Sequence, residues 1–94
     1  MDINKFISSI GYDGNSAIID KVRFAKNKNK DLKTLLQEGA FRSAAAYAVY
    51  TGSQEDLQNV ADCYNSFSAS HYKKEQIPRL FGVSNVEVKK ILIL

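Results

Sequence analysis

Apolar positions recur at helical spacing along most of this chain. Ile3, Phe6, Ile7 and Ile10 fall at i, i+3, i+4 and i+7, one stripe of an amphipathic helix. Asp2 is placed to cap that helix and Gly11 to stop it. Asp13-Gly14-Asn15 is turn chemistry, after which Asn15 or Ser16 can cap a second helix running to about Lys26. Ile18, Val22 and Ala25 form its inner stripe, with Ile19 beside them, and the polar run Asn27-Lys28-Asn29-Lys30 ends it. Leu32, Leu35 and Leu36 predict a short third helix stopped by Gly39.

Arg42 to Gly52, "RSAAAYAVYTG", carries four alanines, so helix propensity is high and bulk low. Small residues let other helices approach closely, which predicts that this one is central. Tyr47 and Tyr50 can bury their rings and keep their hydroxyls paired or wet. Ser53 then caps the clearest helix, with Glu55 and Asp56 at its positive end. Leu57, Val60, Ala61 and Tyr64 are its inner stripe, and "NSFSASH" reads as a loop. No stretch alternates apolar and polar for long enough to predict a strand. The expected architecture is all-α: one compact bundle of five to seven short helices over residues 1–94, with a core in 2–72 and a closing helical hairpin in 73–94.

In that closing segment the apolar positions are Ile77, Leu80, Phe81, Val83, Val88, Ile91 and Leu92. Gly82 sits where the chain must turn, Val83 can plug the gap between two helices, and Ser84 with Glu87 forms an S-x-x-E capping box. The spacing of Ile77, Phe81, Gly82, Val83, Ser84, Val88 and Ile91 resembles the helix-turn-helix motif of bacterial and phage DNA-binding proteins, over residues 73–92. Pro78 departs from that pattern, standing where the motif usually has a small helix-favouring residue. It shortens the first helix to a start near Gln76 or Ile77. The resemblance implies a recognition helix beginning at Ser84, with Ser84, Asn85, Val86 and Lys89 as base readers. Lys73, Lys74, Arg79 and Lys90 would then hold phosphates of double-stranded DNA.

Charge sharpens this picture without deciding it. The net charge is only +3, but residues 1–20 carry −2, residues 21–42 carry +5, residues 43–72 carry −3 and residues 73–94 carry +3. Two basic blocks around an acidic one suit a nucleic-acid footprint, and equally suit complementary faces within a fold or between subunits. Apolar residues make up 45% of the chain and charged residues 24%, which is the balance of a folded globular domain rather than a disordered one. No apolar run approaches the roughly 20 residues that span a bilayer. The start of the chain lacks a secretory pattern, so a cytoplasmic setting is expected.

Catalytic chemistry finds little support. There is no Gly-rich phosphate loop, nucleophile elbow or H-E-x-x-H. Glu55, Asp56 and Asp62 read as capping and solvating charges on one helix. The lone Cys63 and lone His71 are too few for a zinc site and read as a packing cysteine and a surface histidine. No cofactor, metal or enzymatic activity is expected.

Two functions remain. One is a small DNA-binding, transcription-associated protein, dimeric because paired half-sites add specificity. The other is a helical protein-interaction module: an adaptor, an inhibitor or an assembly subunit. In the middle of the chain, "AVYTGSQEDLQNV" resembles the second half of an ankyrin repeat. It occurs once and lacks the Thr-Pro-Leu-His opening, so no repeat array is expected. The apolar Ile91 to Leu94 end and the tyrosines would suit a partner surface or a homodimer.

Overall fold

The computed structural model describes residues 2–84 and 88–94. In chain order it runs α1 (Ile3–Phe6), β1 (Ser9–Asp13), β2 (Ser16–Ile19), α2 (Lys21–Asn27), α3 (Leu32–Gln37), α4 (Phe41–Thr51), α5 (Gln54–Ser68), a 3₁₀ turn (Lys74–Gln76), α6 (Ile77–Phe81) and β3 (Lys90–Ile93). The fold is therefore mixed α/β, and the all-α expectation is overturned by a three-stranded sheet of order β1-β2-β3.

Two sequence segments account for the correction. Asp2 does cap α1, accepting from the Lys5 amide at 2.9 Å, but that helix stops at Phe6 instead of reaching Ile10. Ser8 and Ser9 turn their hydroxyls back onto the carbonyls of Asn4 and Phe6, satisfying the helix end. The chain then extends into β1, with a register irregularity between Ser9 and Gly11. Gly14, at φ 61°, begins a two-residue turn that sets Asp13 opposite Ser16, so a hairpin forms where a helix start was expected. The predicted second helix is thereby divided. Ser16 to Ile19 pair with β1, and Asp20 caps what is left by accepting from the amides of Val22 and Arg23.

The helices that carry the core follow the predicted stripes. Asp31 caps α3 through a 2.9 Å bond from the Thr34 amide. Ser53 caps α5 through a 3.2 Å bond from the Asp56 amide. α5 runs to Ser68, past the expected loop start. α4 is the central element: α1, α3, α5 and α6 all pack on it. Its alanines Ala44, Ala45, Ala46 and Ala48 are almost fully buried beside Leu35, Val60, Ala61 and Ile77. Small side chains there let four helices reach a fifth. Tyr64 meets Phe41 and Phe81 edge-on, with ring centroids 5.1 Å apart in each pair.

The Asp31 cap is expected to give α3 an acid-sensitive end. The Thr34 amide, and after it the Thr34 hydroxyl, hold the Asp31 carboxyl below its ordinary pKa of 3.8. A depressed folded pKa stabilises above the unfolded value, and this contribution is lost as pH falls through the folded one. Asp31→Asn, which still caps but cannot titrate, should flatten part of the loss of helical circular dichroism below about pH 4. Superimposable acid transitions of the two proteins would refute this.

Candidate interaction site

The predicted closing hairpin is half present. Pro78 lies in the first turn of α6, as the shortened helix requires, and Gly82 closes α6 in the left-handed conformation at φ 65°. Val83 is buried, though no second helix follows it among the described residues for it to plug against. The chain beyond Gly82 corrects the other half: no second helix occurs among the described residues. Val88 and Lys89 lack regular structure, and Lys90 to Ile93 form β3. The i, i+3, i+4 spacing of Val88, Ile91 and Leu92 is compatible with a helix, but β-branched residues also suit a strand. Here β2 presents an unpaired edge that only an extended segment can satisfy.

The candidate DNA-contacting residues are consequently dispersed. Lys73 is exposed just before the 3₁₀ turn, Lys74 is half-buried within it, and Arg79 is exposed on α6. Ser84 is exposed, and its carbonyl accepts a 3.4 Å bond from the Tyr12 hydroxyl. Lys89 and Lys90 are exposed at the start of β3, and the Lys89 amide donates to the Asn15 carbonyl at 2.8 Å. The expected readers Asn85 and Val86, and the Glu87 of the capping box, lie outside the described residues. Cys63 is half-buried on α5 and His71 is exposed. Among the described residues, no group of three or more His, Cys, Asp or Glu side chains could hold a metal ion.

The surface that the structure does assemble is β3 itself. It pairs in parallel with β2, setting Ser16 beside Lys90, Ala17 beside Ile91, Ile18 beside Leu92 and Ile19 beside Ile93. The Leu94 amide donates to the Ile19 carbonyl at 2.9 Å, and the Leu94 carbonyl accepts from the Lys21 amide at 3.0 Å. Strand alternation then turns the N–H and C=O groups of residues 90, 92 and 94 toward β2. Those of Ile91 and Ile93 point to the outer edge, where the sheet order leaves no further strand among the described residues. The side chains are equally unsheltered: Ile91 is 36% exposed, Leu92 46%, Ile93 57% and Leu94 73%. Ile91 and Ile93 share the face of Ala17 and Ile19, yet they overhang a core that buries only the latter two.

Charged residues normally blunt such an edge, and here Lys89 and Lys90 do so at one end only. The sequence names the apolar tail correctly. It does not reveal which backbone groups remain free, because that depends on pairing with a strand more than seventy residues earlier.

No family model, curated protein or solved structure matches this chain. Among the described residues, no helix is long and apolar enough to cross a membrane.

Proposed function

We propose that this chain is a non-enzymatic protein-interaction module of the cytoplasm that self-associates through the outer edge of β3. The observation that carries the reading is an apolar strand whose two outward-facing residues, Ile91 and Ile93, have backbone groups left unpaired at the sheet edge by the described residues. Extended partners add to edges of this kind through main-chain hydrogen bonds.

Charge and register favour a second copy as the partner. Pairing two β3 strands in parallel would stack Lys90 on Lys90, a like-charge contact. Antiparallel pairing about Leu92 sets Leu92 on Leu92, Ile91 opposite Ile93 and Lys90 opposite Leu94. Both outward residues of each copy then fall in hydrogen-bonded positions. The product is one continuous six-stranded sheet with two-fold symmetry, the commonest symmetry of soluble dimers. Transcription-associated DNA binding is the weaker alternative, since the described residues after Gly82 supply no groove-reading helix. The single cysteine, Cys63, fits a compartment in which disulfides are not used.

Sedimentation velocity across a wide concentration series is the direct test. A monomer–dimer equilibrium with a dissociation constant on the order of 10 μM is expected for so small a contact. A monomer at every concentration would reject self-association. Salt-dependent binding of mixed duplex DNA by that monomer would favour the alternative.

A further inference from the structure

A second feature, sharing no residue with β3, is a cleft of about 560 Å³ between α2, the α3–α4 turn and the end of α6. It is lined by the N-terminal residues of α4 and by the cations Arg23, Lys26 and Arg42. α4 is eleven residues long, its N-cap is Ala40, and among the described residues no side chain caps its N-terminus. Its first amides and the positive end of its dipole therefore face the cleft without a protein acceptor.

The neighbouring side chains point the same way. Arg42 is held by main-chain carbonyls, its Nε donating to Ser9 and its Nη1 to Phe81, so no carboxylate offsets its charge through these bonds. Its Nη2 is buried with no partner among the described residues. Burial, and after it the nearby Arg23, push the Arg42 pKa below the ordinary arginine value, with Tyr12 opposing. Among the described residues two carboxylates reach the cleft, and both are engaged elsewhere. Asp20 caps α2, and Glu38 is paired with Lys30 at 2.6 Å.

Asn27 is the independent sign of a missing ligand. It is only 4% exposed and lines the cleft, its Nδ2 lies 3.3 Å from Ser43 Oγ, and its Oδ1 has no partner. A buried amide oxygen left unsatisfied is costly. A ligand hydroxyl would satisfy it. With the amide turned over, Ser43 would donate to Oδ1 and Nδ2 would become a donor to an anion.

We infer that this cleft binds the phosphate group of a small phosphorylated molecule, with the α4 amides, Arg42, Arg23 and Lys26 as its donors. Uncapped helix amides and arginine forks are the standard ligands of phosphate. The cleft exceeds the size of a bare phosphate and falls within the usual range of small-molecule sites.

The test is a titration of the isotope-labelled full chain, followed by amide resonances at constant ionic strength, with inorganic phosphate and a sugar phosphate as probes. Saturable shifts centred on Phe41, Arg42 and Ser43 are expected, with a dissociation constant of about 1 mM or tighter. Arg23→Gln, at a half-buried position on the cleft side of α2, should weaken binding by roughly tenfold, with an unchanged circular dichroism spectrum showing that the chain stays folded. Absent shifts, or shifts spread over surface lysines and indifferent to Arg23→Gln, would overturn the site. A short DNA duplex that displaces phosphate while also moving Lys89 and Lys90 would identify the anion as a nucleic-acid backbone and overturn the small-ligand assignment.

Discussion

Replacing Ile93 with proline is expected to weaken self-association by roughly ten- to a hundredfold while leaving the fold in place. Proline removes one N–H and fixes φ. At residue 93 that N–H points away from β2, so no bond of the parallel ladder is lost, and edge strands tolerate proline on the side facing solvent. The Leu94 bonds to Ile19 and Lys21 can persist. In the two-fold dimer, however, each Ile93 N–H meets an Ile91 carbonyl, so the single substitution deletes two interchain bonds and places two rings at the seam. Sedimentation velocity reads the association, and circular dichroism with thermal melting reads the fold. Leu92→Pro is the contrast, because its N–H belongs to the β2 ladder. It should loosen β3 itself and lower the melting temperature. Unchanged association in Ile93→Pro would remove the outer edge of β3 as the interface.

Truncating Leu35 to alanine should destabilise the monomer by about 2–5 kcal/mol. Leu35 is fully buried on α3, packed against the alanine face of α4. Alanines cannot extend into the space a lost leucine leaves, and the helices are held by several neighbours, so the site collapses poorly. For a chain of this length each kcal/mol lowers the melting temperature by about 4–8 °C, giving a fall on the order of 10–30 °C. Total stability for such a domain is about 5–15 kcal/mol, so this one truncation removes a large share of it. A fall of only a few degrees would show that the α3–α4 contact is not part of the core.

The two substitutions probe what differs most in legibility. Leu35 announces itself in the chain: Leu32, Leu35 and Leu36 repeat at helical spacing ahead of a glycine stop. Capping, periodicity and small-residue content act within a dozen residues, so α3, α4 and α5 follow from local sequence. The same holds for the left-handed stop at Gly82, the shortening of α6 by Pro78 and the burial of Val83. Near the start of the chain the local signals conflict. Ile3, Phe6, Ile7 and Ile10 have helical spacing, yet Ser8 and Ser9 bond back to the helix and release Ile10 into a strand. The Asp13-Gly14-Asn15 turn is plain in the sequence, but whether it joins helices or strands depends on which segments find a pairing edge.

Residues 90–94 show the limit most clearly. Their sequence states that they are apolar and come after two lysines. Tertiary structure alone decides that they extend, because a strand gains its hydrogen bonds from another segment while a helix gains them from itself. Ile91 and Ile93 have free backbone groups only because β2 occupies the other side of β3. Likewise, the basic block of residues 21–42 is visible as charge, but its convergence with the uncapped start of α4 and with Asn27 depends on how α2 is set against that helix. Local sequence determined the helices that build the core and the turns that end them. The assembled fold decided the sheet, its open edge and the cleft, since each is made by groups distant in the chain whose pairing no local pattern encodes.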